Sequence, residues 1–577
     1  MNWHRSSKFL GLLTLLVLIL SALPIVAAQG PGATGKIEPA LLEKLVAAGE
    51  ADLVLTFAEQ ADLSPAYQMT WEERGEFVVS ALTEVAERSQ IQAKAYLDRA
   101  GLRYQTFIAG NELYVWAGDA RAATSLAAFP EVAGIRATRV YPLDPVLTVD
   151  KPAAPQATLA WGIADTGADD FWSTFGFKGE GIIVANIDTG VQWNHPALVN
   201  QFKCPGDPGN AACWKDPTNV CTGGSPCDKN GHGTHTMGTM VADDDPGLPY
   251  IAGMAPGARW IACKGCQTQA YPNSCPEYAL NACADWILQP GGSTSNRPHV
   301  VNNSWGGPGC DTWYLARVNA WRAAGIFPAF SAGNGSGCST LSSPGNYQES
   351  FASAAHSVSR SIADFSSRGP NTGSGCDPHT PYTKPNLSAP GVSIVSTYPT
   401  NGWASYNGTS MASPHSAGAV ALLWSCQPTL VGQIDQTFQL LQNSADAPPA
   451  GNCGAPLDTQ GNYTYGYGYL NVLAAGQATC PGYLDGHVYI SGTTTPIEGA
   501  GVRVSSEYPL ATTTESDGYY TLTLVAGTYN VVAHKSGYLA EMALGVVVDA
   551  AITTTQDFYL QVPICAVNLP LIMKHVP

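Results

Sequence analysis

Three short segments carry side chains that together could break an acyl bond. Asp188-Thr189-Gly190 sets a carboxylate at the end of an apolar run, 182–187. Asn230-Gly231-His232-Gly233-Thr234-His235 places glycines at the opening of a predicted helix. Asn407-Gly408-Thr409-Ser410-Met411-Ala412-Ser413-Pro414-His415 sets a serine ahead of a small-residue helical run, 416–424. Proline is tolerated only near a helix start, so Pro414 predicts Ser410 at that helix's N-terminal end. Singly, each segment has an ordinary reading: a capping aspartate, a structural histidine, a Gly-Thr-Ser loop. Together they supply a nucleophile, a general base and an orienting carboxylate, as acyl transfer requires. A serine hydroxyl is a poor nucleophile at neutral pH. His232 must therefore take its proton as the new bond forms, and Asp188 must fix the imidazole tautomer and offset its charge. The chain order Asp, His, Ser differs from the Ser, Asp, His order that goes with a Gly-x-Ser-x-Gly elbow. Gly408-Thr409-Ser410-Met411-Ala412 narrowly misses that elbow, so the order decides against it.

The elements that must hold these residues are legible as texture. From about 180 to 475, short apolar runs end in polar residues and alternate with Gly- and Ala-rich helical stretches. The runs 259–262, 299–301 and 326–330 follow 182–187, and the second of these leads to Asn302-Asn303-Ser304. Near-continuous apolar strands predict an α/β fold, a parallel sheet with helices on both faces. Functional groups in such sheets gather at the carboxyl ends of the strands. Ahead of this region, 37–142 reads as strand (51–57), helix (72–100), a hairpin turning at Gly110-Asn111, a short helix (120–129) and a strand (134–141). That β-α-β-β-α-β order is the ferredoxin-like unit. It runs into Pro142, Pro145, Pro152 and Pro155, a stretch that reads as an exposed joint. Residues 482–561 are short β-type runs separated by turns such as Asp517-Gly518, which predicts a small all-β sandwich. An apolar tail occupies 562–577.

At these motifs the chain resembles the subtilisin-like serine peptidases, the subtilases, and within them the bacillopeptidase F branch. Asp188-Thr189-Gly190, His232-Gly233-Thr234-His235 and the serine segment at 408–415 match the family's three signatures. Gly253-Met254-Ala255-Pro256, Ser304-Trp305-Gly306, Ala332-Gly333-Asn334 and Phe365-Ser366-Ser367-Arg368-Gly369-Pro370 match its core segments. The resemblance implies a peptidase domain over 150–476 acting on proteins and peptides, with Asp188, His232 and Ser410 catalytic. It implies an oxyanion-hole role for Asn334 and substrate binding along Ser304, Trp305 and Gly306, where Trp305 replaces the family's usual leucine. The unit at 37–142 resembles a subtilase propeptide, an intramolecular inhibitor removed by self-processing within the joint from Leu143 to Thr158. The segment at 482–561 resembles the carboxypeptidase regulatory-like, transthyretin-like sandwiches. No cofactor is needed for the chemistry, although many subtilases bind structural calcium after the histidine helix, where this chain carries Asp243, Asp244 and Asp245. A monomer is expected. His235 and His415 read as packing residues.

The chain has 577 residues, long enough for several domains and a large core. A net charge of -17 argues against nucleic acid or an anionic membrane as partner. Arg5, Lys8, the apolar stretch 9–26 and Val26-Ala27-Ala28 predict a signal peptide over 1–28, with no membrane span in the mature form and export to the extracellular space. All 15 cysteines lie at or beyond Cys204, and in an exported chain they predict disulfides over a zinc site at Cys263-x-x-Cys266. Pairing is not readable, and the odd count leaves at least one outside any internal pair. Two rival functions share parts of the pattern. An inactive subtilase-fold surface or matrix-binding protein would have lost one of Asp188, His232, Ser410 or Asn334. A serine-carboxyl peptidase would carry Glu in place of His232.

Overall fold

The computed structural model describes residues 34–143, 147–149, 157–371, 382–455, 461–504, 510–550 and 552–563. The segment predicted as a signal peptide and nearly all of the C-terminal tail lie outside these. The chain falls into two units, Met1–Ala61 with Thr83–Thr138, and Asp62–Leu82 with Arg139–Pro577.

The first unit opens on a helix absent from the sequence expectation, α1 (Pro39–Ala48). Its signals are local: a proline in the first turn, Gly49 closing it at positive φ, and Leu41 and Leu45 one turn apart and buried. There follow β1 (Glu50–Phe57), α2 (Trp71–Ala100, whose residues up to Leu82 belong to the second unit), β2 (Tyr104–Phe107), β3 (Glu112–Asp119), α3 (Ala120–Ala127) and β4 (Val132–Ala137). The strands form one antiparallel sheet in the order β2-β3-β1-β4, the arrangement of a ferredoxin-like unit. Leu53, Leu55, Leu97, Leu113, Leu126 and Ile135 share its core. Asp119 starts α3 by accepting the Ala122 amide at 2.7 Å.

The strand expected over 134–141 is in fact two. β4 ends at Ala137, and β5 (Val140–Pro142) pairs antiparallel with a strand at Ser274–Pro276 in the second unit. Backbone propensity is the same on both sides of the break; the free edge of the later strand decides where Val140 and Tyr141 go. The stretch read as an exposed joint is therefore partly structured. Tyr141 is buried, and a further strand, β6 (Leu147–Val149), pairs with Ser405–Asn407 in register.

The second unit is built on a seven-stranded, wholly parallel sheet. Its strands are β7 (Ile183–Asp188), β8 (Trp214–Lys215), β9 (Arg259–Lys264), β11 (Val300–Asn303), β12 (Phe327–Ser331), β13 (Phe351–His356) and β14 (Leu387–Pro390), while β10 (Ser274–Pro276) lies outside it, paired with β5. The order across the sheet is β14-β13-β12-β11-β7-β9-β8. Order reverses between β7 and β11, and a crevice at the carboxyl ends of the strands is where such sheets bind ligands. α4 (His232–Val241) follows β8, and α5 (Thr409–Cys426) follows β15 (Gly402–Asn407). Every residue of α5 is buried, as expected of a helix apolar or small on all sides.

Residues 481–560 form two four-stranded sheets enclosing Leu484, Val488, Val502, Tyr520, Val531 and Phe558, the β-sandwich anticipated. Disulfides join Cys204–Cys213, Cys221–Cys227, Cys263–Cys283, Cys266–Cys275, Cys338–Cys453 and Cys426–Cys480. Both sulfurs of the Cys-x-x-Cys pair are thus spent in separate bridges, which removes the zinc reading. Among the described residues no helix is long and apolar enough to cross a membrane.

Candidate active site

Asp188 is the last residue of β7 and His232 the first of α4, and both are buried. His232 Nδ1 lies 2.7 Å from Asp188 Oδ1. The carboxylate is itself oriented, since its Oδ1 also accepts the Thr189 amide at 2.6 Å and its Oδ2 the Thr236 hydroxyl at 3.3 Å. Helix and strand end approach closely because two glycines allow it. A Cβ on Gly233 would sit 2.1 Å from the Gly190 carbonyl oxygen, and one on Gly190, at φ 98°, 2.0 Å from that of Cys227.

A residue not singled out in the sequence ties this pair together. Asp228 is buried, and its Oδ1 accepts the Thr189 hydroxyl (3.0 Å) and the amides of Asn230 (2.9 Å) and Gly231 (2.8 Å). Its Oδ2 accepts the amide (2.9 Å) and hydroxyl (2.7 Å) of Thr234. One carboxylate thereby joins the turn after Asp188 to the first turn of the helix bearing His232. An acidic residue just ahead of a glycine-opened helix is the signal that would have found it. Lys264, at the end of β9, donates to the Thr189 carbonyl and, at 3.0 Å, to Gln267 Oε1, and burial lowers its pKa.

Ser410 is the second residue of α5, among the amides that point out of a helix N-terminus. Pro414 lies within the helix rather than ahead of it. It removes the amide that would bond to the Ser410 carbonyl, and the Ser304 hydroxyl donates to that carbonyl instead at 2.9 Å. The Ser410 hydroxyl in turn lies 3.3 Å from the Ser304 carbonyl oxygen. The segment after β11 and the serine helix are thus locked together. Asn334 follows β12, and its Oδ1 accepts the amide (3.0 Å) and hydroxyl (2.9 Å) of Thr409. Asn334, Gly306, Leu341 and Ser342 border a cavity of about 380 Å³ that Pro142 also lines, with no charged side chain around it among the described residues. Trp305 turns away from it, buried edge-on against Tyr314 (5.1 Å) and Phe330 (6.0 Å).

His235 and His415 are buried packing groups. His235 Nε2 donates to the Ile394 carbonyl at 3.0 Å and its ring stacks on Tyr406; His415 Nδ1 donates to the Met411 carbonyl at 2.8 Å. Burial pushes their pKa values down to about 3 and about 4. The acidic run does not converge. Asp243 accepts from Asn200, Asp244 pairs with Lys178, and Asp245 accepts the Gly247 amide. Calcium needs six to eight converging oxygens, and among the described residues no three His, Cys, Asp or Glu gather as a cation site.

Bacillopeptidase F of Bacillus subtilis (strain 168) is 38% identical over 358 residues, 58% of this chain, and the chain spans 23% of that protein's length. Subtilisin DY of Bacillus licheniformis is 34% identical over 324 residues, 56% of this chain and 99% of the relative. Among solved structures, fervidolysin from Fervidobacterium pennivorans, a keratinolytic enzyme related to subtilisin, shares the fold. It does so at a TM-score of 0.53 and 20% identity, over 88% of this chain and 78% of that one. The carboxypeptidase regulatory-like domain model matches residues 484–561, and the subtilase family model residues 179–468. The chain belongs to the subtilase family.

Proposed function

We propose that this chain is a secreted serine endopeptidase, made as a zymogen that processes itself. The observation that carries the reading is the buried 2.7 Å contact between His232 Nδ1 and Asp188 Oδ1, in a chain of this family. With Nδ1–H donated to Asp188, His232 presents Nε2 as a base. Ser410 Oγ attacks the substrate carbonyl while its proton passes to Nε2. The tetrahedral oxygen is held by the Ser410 backbone N–H and the side-chain amide of Asn334, with Asn334 anchored through Thr409. Collapse returns the proton to the leaving amine and leaves an acyl-serine; water, deprotonated by His232, then releases the acid. Every group in this sequence belongs to the chain. Substrate backbone lies along Ser304, Trp305 and Gly306 as an added strand. The uncharged cavity beside Asn334 and the absence of carboxylate from 342–345 favour neutral side chains next to the scissile bond.

The first substrate is the chain itself. β5 runs along β10, β6 runs beside β15, and β15 leads directly into Ser410, which supports a processed bond within the joint from Leu143 to Thr158. Ser410→Ala removes the nucleophile and lowers hydrolysis by about 10⁶-fold. In a host lacking other proteases it should accumulate as a precursor holding residues 37–142, while the wild type loses them and acquires an N-terminus within 143–158. Equal loss from both proteins, read by intact mass and N-terminal sequencing, would overturn self-processing.

A further inference from the structure

Resting on the peptidase reading, we propose that Asp311 and Trp313 form a recognition element that selects substrates carrying Tyr, with Arg two residues before it, upstream of the scissile bond. Residues 139–143 are held along β10 through their own backbone groups. Glu277 N donates to the Arg139 carbonyl (3.1 Å), Leu143 N donates to the Asn273 carbonyl (2.9 Å), and the Arg139 amide is taken by the Glu277 carboxylate at 3.0 Å. Such pairing grips any sequence; alternate side chains supply the choice. Here the side chains two apart both meet a built surface. Arg139 pairs with Asp311 at 2.6 Å, and the Tyr141 ring stacks on Trp313 with centroids 5.2 Å apart and planes 11° from parallel. The Tyr141 hydroxyl lies 3.3 Å from the same Asp311 carboxylate, and the ring is buried. Val140, between them, is exposed.

The slot is shaped on its other side by Gly307, where a Cβ would come within 2.2 Å of the Tyr141 ring carbons. The loop carrying Asp311 and Trp313 is also fixed. Cys310 is disulfide-bonded, and Asp311 Oδ1 accepts the Trp313 amide at 3.2 Å. None of these contacts depends on Arg139 and Tyr141 belonging to the same chain, so a separate peptide of like sequence can make them.

The test uses the matured full chain and a quenched fluorogenic peptide with the sequence of residues 138–149, Thr-Arg-Val-Tyr-Pro-Leu-Asp-Pro-Val-Leu-Thr-Val. Replacing its Tyr by Ala should lower kcat/KM by about 10- to 100-fold, the effect of losing one buried aromatic contact. In Trp313→Ala and Gly307→Ala that ratio should shrink to within about threefold, while Trp313→Phe, which keeps a stacking ring, retains most of it. Asp311→Asn should erase the preference for Arg over Gln two positions earlier. A Tyr-to-Ala ratio near one in the wild type, an unchanged ratio in Trp313→Ala, or cleavage of casein without cleavage of the parent peptide overturns the recognition element. Failure of the wild type to cleave casein at all overturns the peptidase reading instead.

Discussion

Replacing Asp228 by Asn should damage turnover far more than its distance from the reacting atoms suggests. The carboxylate accepts five hydrogen bonds, three on Oδ1 and two on Oδ2. Asparagine can keep an oxygen toward the three donors on the Oδ1 side, but its amide then faces the Thr234 N–H, donor against donor. A buried amide left without an acceptor costs about 1–3 kcal/mol, and the remaining bonds lose their charge assistance. About 3 kcal/mol in all is a reasonable sum, a fall in Tm of about 5 °C for a domain of about 300 residues. The catalytic effect has a different origin. Asp228 joins the turn holding Asp188 to the turn holding His232, and a shift of about 1 Å between reacting groups can cost about 10²-fold. The assay is kcat and KM on a peptide substrate well below the Tm, with a pH–rate profile and the rate of inactivation by a serine-directed phosphonate. We expect kcat to fall by about 10²-fold with KM little changed, and phosphonate labelling to slow in parallel. If Asp228→Asn loses the stability but keeps kcat within threefold, the carboxylate braces the fold and does not position His232.

Asn334→Ala should lower kcat by about 10²–10³-fold with a smaller change in KM, the range for loss of one oxyanion donor; an equal rise in KM at constant kcat would point to ground-state binding instead. Acid should destabilise the protein through His235 and His415. Both are neutral when folded, with pKa values near 3 and 4 against 6.5 when unfolded, so their stabilisation is full above pH 6.5 and is lost as pH falls toward 3–4. At pH 5 each has lost roughly 2 kcal/mol, and calorimetry from pH 7.5 to 4.5 should show a His235→Gln variant with a flatter decline.

How far the sequence could be read depended on whether a feature was local. Asp188, His232 and Ser410 sit in short motifs at a strand end and two helix starts, where turn chemistry and apolar runs are written in consecutive residues. The element order of 37–142 was legible for the same reason, down to the turn at Asn111, which adopts a positive φ of 46°. What was missed depends on residues far apart in the chain. Asp228 looks like a loop aspartate until Thr189 is brought to it across 39 positions. Val140 and Tyr141 have strand propensity but do not say whose edge they join. The resemblance named Ser304 for the substrate strand, yet its hydrogen bond to the carbonyl freed by Pro414 spans 106 residues. Helix α1 differs, since its signals, a proline in the first turn and Gly49 at the end, are wholly local.

On the proposed peptidase reading, the short disulfide rings bear on how the chain survives among copies of itself. A cleft that takes its substrate as an added strand needs several consecutive residues drawn out at about 3.3 Å each, so a six-residue stretch would reach about 20 Å. Cys221 and Cys227 are six residues apart, yet the bridge holds their Cα atoms at 5.6 Å; Cys204 and Cys213, nine apart, are held at 6.1 Å. Neither loop can straighten without reduction of its bridge. Two of the irregular stretches between β7 and α4, the kind of surface on which a protease usually digests its own kind, are thereby locked in shapes its own cleft cannot accept.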